Sequence, residues 1–237
     1  MLQMVCLPGL LCDTGVFDPV LAGMDEPAQV LPVPRVASFD AMVAQIVAQL
    51  PDAAVLVGMS MGSYLALAVA RQFPARVKGL VLIGTTAAAD TPRAAALRVK
   101  VAAWAAREGE AALADSVADS MLSPARRADP ALRATIRRMT ESQGVDTFAM
   151  HQAALAERPD QTAALADILC PVLVITGTED TSTPLGAGRA VAETVPNGRF
   201  VALDGVGHMP VLETPDLVAR HLRTFLDDCL TLEDQAQ

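Results

Sequence analysis

A chain of 237 residues with 52% hydrophobic and 19% charged side chains can bury a large core as one domain carrying an insertion. Its formal net charge of −9 argues against nucleic acid or any other polyanion as a partner, because holding phosphates needs a basic face that releases counterions. The four cysteines, Cys6, Cys12, Cys170 and Cys229, form no CxxC pair and no cysteine-histidine cluster with zinc spacing, so reduced thiols are expected and no structural metal is implied.

The opening MLQMVCLPGLLCD lacks the charged start of a secretory signal, and Pro8 and Gly9 break its apolar run before it could span a bilayer. A cytoplasmic protein with no membrane partner is expected. Short apolar runs predict strands at Leu2–Leu7, Gln29–Val33, Ala54–Val57, Gly79–Ile83, Val172–Thr176 and Arg199–Leu203. Helical periodicity predicts Ser38–Leu50, Met61–Phe73, Leu185–Val195 and Val211–Leu230 between and after them. This alternation is the pattern of an α/β fold: a doubly wound, mostly parallel sheet of about six strands with helices on both faces. The middle departs from it. From residue 88 to 160, alanine- and arginine-rich segments show helical periodicity without a convincing strand, broken at Gly109, at Ser123-Pro124, at Asp129-Pro130 and at Gly144. The chain thus divides into a core, 1–87 and 161–237, and an all-helical insertion of roughly 70 residues, an ordinary size for a small substructure. TLEDQAQ reads as a solvated tail.

Where the strand ending at Val57 meets the helix starting at Met61 lies GMSMG. In a G-x-S-x-G turn between strand and helix the chain bends so sharply that side chains cannot sit two places either side of the serine, and Gly58 and Gly62 supply that room. The Ser60 hydroxyl is then lifted above the carboxyl ends of the strands, where amides at the helix start face a developing oxyanion. A serine is a poor nucleophile without an imidazole base, itself fixed by an acid. Of the three histidines, His208 is the candidate base because it lies in the glycine-rich loop GVGHMP after the last strand. His221 reads as part of a solvated helix face between Arg220 and Arg223, and His151 in the insertion either lines a pocket or packs. ITGTEDTSTP places Asp180 just beyond a strand, as candidate acid, with Asp204 and Asp90 as rivals. Glu179 points elsewhere if Asp180 points in.

The order Ser60, Asp180, His208, each after a separate strand, resembles the α/β-hydrolase family with a helical cap, and the similarity covers nearly the whole chain. GMSMG is similar to that family's nucleophile turn, PVLVITGTED to its acid strand and loop, and GVGHMPVLETP to its histidine loop. LPGLLCD corresponds to the oxyanion loop, with Pro8-Gly9-Leu10 where a histidine-glycine pair and a hydrophobic residue are usual. By resemblance the backbone N–H groups of Leu10 and Met61 would form the oxyanion hole, with Leu11 as an alternative donor. The family's first two strands have no counterpart here, and the uncovered edge this leaves invites a homodimer.

The resemblance implies an acyl-enzyme route without metal or organic cofactor. Haloalkane dehalogenases and epoxide hydrolases of this fold carry an aspartate where Ser60 stands, and the latter need two cap tyrosines where this chain has Tyr64 alone. The reading is therefore a serine hydrolase, resembling small bacterial carboxylesterases, acting on a small-molecule ester. Alternatives of the same fold are a carrier-protein methyl ester esterase, an enol-lactonase, a carbon-carbon bond hydrolase and a non-catalytic ligand-binding relative. Leu11, Trp104, Met121, Met139, Phe148, Met150, His151 and Met209 are the candidate pocket residues, their methionines suiting varied acyl chains. Arg133, Arg137 and Arg138 recur on one side of RATIRRM, and by resemblance could dock an acidic acyl carrier protein, the second-ranked partner.

Overall fold

The computed structural model describes residues 3–235. Six strands, β1 (Gln3–Leu7), β2 (Ala28–Val30), β3 (Ala54–Met59), β4 (Val77–Ile83), β5 (Val172–Gly177) and β6 (Gly198–Leu203), form one parallel sheet in the order β2-β1-β3-β4-β5-β6. The α-helices among the described residues are α1 (Asp18–Leu21), α2 (Phe39–Val47), α3 (Met61–Gln72), α4 (Pro92–Met121), α5 (Pro130–Ala156), α6 (Leu185–Thr194), α7 (Pro210–Glu213) and α8 (Pro215–Gln235). No helix among them is long and apolar enough to cross a membrane.

Successive side chains of β3 point to opposite faces, and both faces are covered. Ala54 and Leu56 pack with α2, α3 and α6, while Val55, Val57 and Met59 pack with α1, α7 and α8. That is why the central strands read as unbroken apolar runs. Each fully buried Val or Leu contributes roughly 1.5–3 kcal/mol, which makes this double core the main source of stability.

Several boundaries move from their predicted places for physical reasons. Gln29–Val33 is strand only to Val30, because Pro32 and Pro34 lack the N–H a ladder requires. The last helix, predicted as Val211–Leu230, is two: Thr214, before Pro215, adopts φ −143° and ψ 57° and separates α7 from α8. The predicted tail instead continues α8 to Gln235, and Ala236 and Gln237 lie outside the described residues, as does Leu2 at the other end.

Between β4 and β5 the chain makes α4 and α5, each kinked at a glycine with positive φ, Gly109 at 84° and Gly144 at 77°. Their connection carries the predicted breaks, and Asp129 caps α5 by accepting from the Ala131 and Leu132 N–H groups. The pair shares a small apolar cluster with Leu11, made of Ala105, Leu113 and Phe148, and also packs into both main cores. Ala154 and Leu155 join the cluster under α2 and α3, and Leu132, Ile136 and Met139 join the one under α8.

The chain direction around the sheet fixes where a site can form. After β1 the chain lays β2 on one side and then β3 on the other, so the loops leaving β1 and β3 diverge and open a crevice at the carboxyl edge. Here the backbones nearly touch: a methyl on Gly62 would run into the Leu7 carbonyl, and one on Gly58 into Gly62 itself. By contrast, nothing lies within 4 Å of the Cβ position of Gly186 in α6. Gly62→Ala is therefore expected to lose about 3 kcal/mol or more, and Gly186→Ala to gain roughly 0.5 kcal/mol, in urea unfolding. Equal midpoints for the two variants would contradict the close approach.

Candidate active site

Ser60 sits between β3 and α3 at φ 50° and ψ −118°, a conformation that L-residues rarely adopt. Its N–H donates to the Ile83 carbonyl of β4 at 2.8 Å, and its carbonyl accepts from the Ser63 N–H and, at 2.6 Å, the Ser63 hydroxyl. These backbone bonds hold the turn and leave the side chain to His208. The Ser60 hydroxyl lies 2.9 Å from His208 Nε2, and His208 Nδ1 lies 2.7 Å from Asp180 Oδ2. With Nδ1–H donating to the carboxylate, Nε2 presents its lone pair to the hydroxyl proton.

Asp180 is buried, and burial alone would raise its pKa. The bond and charge of His208, together with the Thr183 N–H and hydroxyl, outweigh that and hold it below the usual carboxylate range. Thr183 N–H and Ser182 N–H both reach Oδ1 at 2.8 Å, and the Thr183 hydroxyl reaches Oδ2 at 2.8 Å. An ionised, fixed acid follows. The rivals are engaged elsewhere: Asp204 accepts from the Thr178 hydroxyl at 3.4 Å, and Asp90 pairs with Arg98 and Arg158.

On the β1 side the loop after Leu7 holds Leu11 at φ 61°. Among the described residues, no hydrogen bond within the chain takes up the N–H of Leu10, Leu11 or Met61. Leu10, Leu11 and Ser60 line one cavity of about 200 Å³ under α4 and α5, together with Trp104, Met121, Met139, Phe148, His208 and Met209.

Two predicted pocket residues are not there. Met150 is partly solvent-exposed, because Phe148 and Gln152 face the cavity and the residue midway between them on a helix points away. His151 is buried away from the cavity with Nε2 at 3.1 Å from the Pro34 carbonyl, and burial pushes its pKa down. It packs. Arg133 pairs with Asp115 and Asp119, Arg137 with Asp115, and Arg138 with Asp13, so the chain's own carboxylates already answer the cationic stripe.

Four side chains at the site escaped the sequence reading. Thr183 was signalled only by the hydroxyl-rich run after Asp180. Arg98 and Tyr64 line the cavity, and nothing in their local sequence distinguishes them from a helix-face arginine and a core tyrosine. Glu213 is buried, accepting from Gly207 N–H and Ser123 N–H, each at 3.1 Å. It fastens the residue before His208 to the turn after α4, and the His208 N–H itself donates to the Met121 carbonyl at 2.7 Å. The clue was the glutamate of HMPVLE, five residues after the histidine.

Comparison with known proteins gives a coherent set. Residues 24–215 match the family model of the alpha/beta hydrolase fold. A pimeloyl-[acyl-carrier protein] methyl ester esterase from Aromatoleum aromaticum is 34% identical over 181 residues, 71% of this chain and 72% of the relative. Among solved structures, a thermophilic esterase from Thermogutta terrifontis with malate bound superposes with a TM-score of 0.85 at 29% identity, covering 97% of this chain and 90% of that one. The enol-lactonase from Burkholderia xenovorans LB400 reaches 0.84 at 23% identity, over 95% and 91% of the two chains, a likeness of fold alone.

Removing the Glu213 carboxylate would leave two buried N–H groups unanswered. Glu213→Ala is expected to cost about 2–4 kcal/mol in urea unfolding. An unchanged midpoint would contradict the bridging role.

Proposed function

The chain belongs to the α/β-hydrolase fold family, and on that premise we propose that it is a carboxylic ester hydrolase acting through an acyl-enzyme intermediate on Ser60. The observation that carries the reading is His208 bridging the Ser60 hydroxyl at 2.9 Å and the Asp180 carboxylate at 2.7 Å. In this mechanism His208 takes the hydroxyl proton as Ser60 attacks the ester carbonyl, and Asp180 steadies the imidazolium that results. The tetrahedral oxyanion is received by the Leu10 and Met61 amides, which the chain leaves unengaged, at the positive end of the α3 dipole. His208 then returns the proton to the departing alcohol. Water repeats the sequence to release the acid.

The cavity favours a small acyl group held under α4 and α5, which act as a cap over the carboxyl edge. A carrier-protein ester stays as a second reading because of the 34% identical relative. Against it, Arg133, Arg137 and Arg138 are already paired with Asp115, Asp119 and Asp13, which leaves little free positive charge for an acidic carrier.

Ser60→Ala is expected to retain the fold by circular dichroism and to lose about 10⁴-fold in kcat. Asp180→Asn should cost a similar factor of about 10⁴ by releasing the imidazole tautomer, while Asp204→Asn changes little. Substantial hydrolysis by Ser60→Ala, or a crippled Asp204→Asn, would overturn the assignment.

A further inference from the structure

Beneath the cap two arginines share a single carboxylate. Arg98 donates to Asp90 through Nε and, at 3.3 Å, through Nη2, and to Gln152 Oε1 through Nη1 at 2.8 Å. Arg158 donates to Asp90 Oδ1 and to the Ala88 carbonyl, both at 2.8 Å, and its guanidinium lies over the Tyr64 ring at 4.4 Å. Arg158 and Asp90 are sealed, their side chains 4% and 7% exposed, whereas that of Arg98 is 23% exposed and lines the cavity that contains Ser60.

This arrangement is unbalanced in charge and in hydrogen bonding. Two guanidinium groups share the Asp90 carboxylate. Asp160 also acts on Arg158 by its charge, but it is exposed and held by the Ala89 and Thr162 N–H groups. Arg98, with only its share of Asp90, therefore keeps positive charge beside the cavity in a protein whose net charge is −9. The other carboxylate near Tyr64, that of Asp180, is committed to His208 and Thr183. A guanidinium has five N–H donors, and only the Asp90 and Gln152 bonds of Arg98 are made within the described residues, so donors remain for an incoming oxygen. A second, independent feature lies in the same cavity. Thr140 is 1% exposed and lines it, and its hydroxyl has no hydrogen-bond partner. A polar group so deeply buried and unanswered is costly unless a ligand satisfies it. Val101, Trp104, Phe148 and Leu155 complete the lining with surface suited to a hydrocarbon spacer.

We propose that the substrate is an ester whose acyl chain ends in a second, ionised carboxylate, a half-ester of a dicarboxylic acid, with Arg98 receiving that carboxylate and Thr140 adding a hydrogen bond. The inference rests on the acyl-enzyme reading and names the substrate class of the same site. Arg98 is the specificity-determining residue. A neutral ester of equal length would leave the cationic donors buried and unfilled, and such sites reject the analogue that lacks the polar group.

The test is methanol release from the monomethyl esters of succinate, glutarate and adipate, each against the neutral methyl ester of the same chain length. The wild type is expected to favour the best half-ester by about 100-fold in kcat/KM, chiefly through KM. In Arg98→Met that ratio should fall at least about tenfold, and Arg98→Lys, which keeps the charge but not the fork, should recover part of it. A wild type that hydrolyses neutral esters without preferring half-esters overturns the inference and leaves the acyl-enzyme reading standing. So does a variant that slows both ester classes in parallel, since that is the mark of a merely structural arginine. A wild type that hydrolyses neither class, with Ser60 unlabelled by a fluorophosphonate, removes the underlying reading itself.

Discussion

Everything this molecule can present to an ester depends on the turn at Ser60, where a residue with a side chain is held at φ 50° and ψ −118° between β3 and α3. Such a conformation costs of order 1–3 kcal/mol, so it survives only where its surroundings leave no alternative. Here they leave none. β3 is buried along its whole length and α3 from Met61 to Ala70, the Ser60 amide is bonded to Ile83, and Gly58 and Gly62 let the flanking backbones touch. Relaxing the turn would disturb the packing of the central strand. The strain is therefore stored in the buried centre of the fold, and it delivers the hydroxyl to His208.

His208 and Asp180 are held by loops rather than by the sheet, and the segment between β4 and β5 participates in holding His208. His208 is fixed through its own N–H to Met121 and through Glu213, whose carboxylate joins Gly207 to Ser123. Asp90, Arg98 and Arg158 tie the insertion to the loop after β4. The segment between β4 and β5 and the imidazole are thus joined through Met121 and Ser123. A change in how α4 and α5 sit would be felt at His208 through these bonds.

What could be read in advance was what local chemistry dictates. A strained strand-to-helix turn demands glycines at fixed offsets, so GMSMG announced itself, and a parallel sheet buried on both faces writes its strands as apolar runs. The kinks at Gly109 and Gly144 were legible for the same reason: glycine marks backbone that other residues avoid. The rotation of a long helix about its axis was not legible, because tertiary partners set it. Hence periodicity alone does not tell that Met150 faces solvent, or which of its two readings, pocket or packing, His151 takes; it packs on Pro34. Arg98 looked like one surface arginine among many, and only the fold brings it to Asp90 and the cavity. The ion-pair partners of Arg133, Arg137 and Arg138 were equally out of reach, since Asp115, Asp119 and Asp13 lie elsewhere in the chain.

The central claim, that turnover passes through an acyl group on Ser60, is tested most directly by quenching the enzyme in acid during the first turnover of an activated ester and mapping the added mass by peptide sequencing. The account predicts an acyl adduct on Ser60, formed as the alcohol is released in a burst and decaying at the steady-state rate. Turnover with no adduct, or with the acyl group on Ser63 or a cysteine, would contradict it.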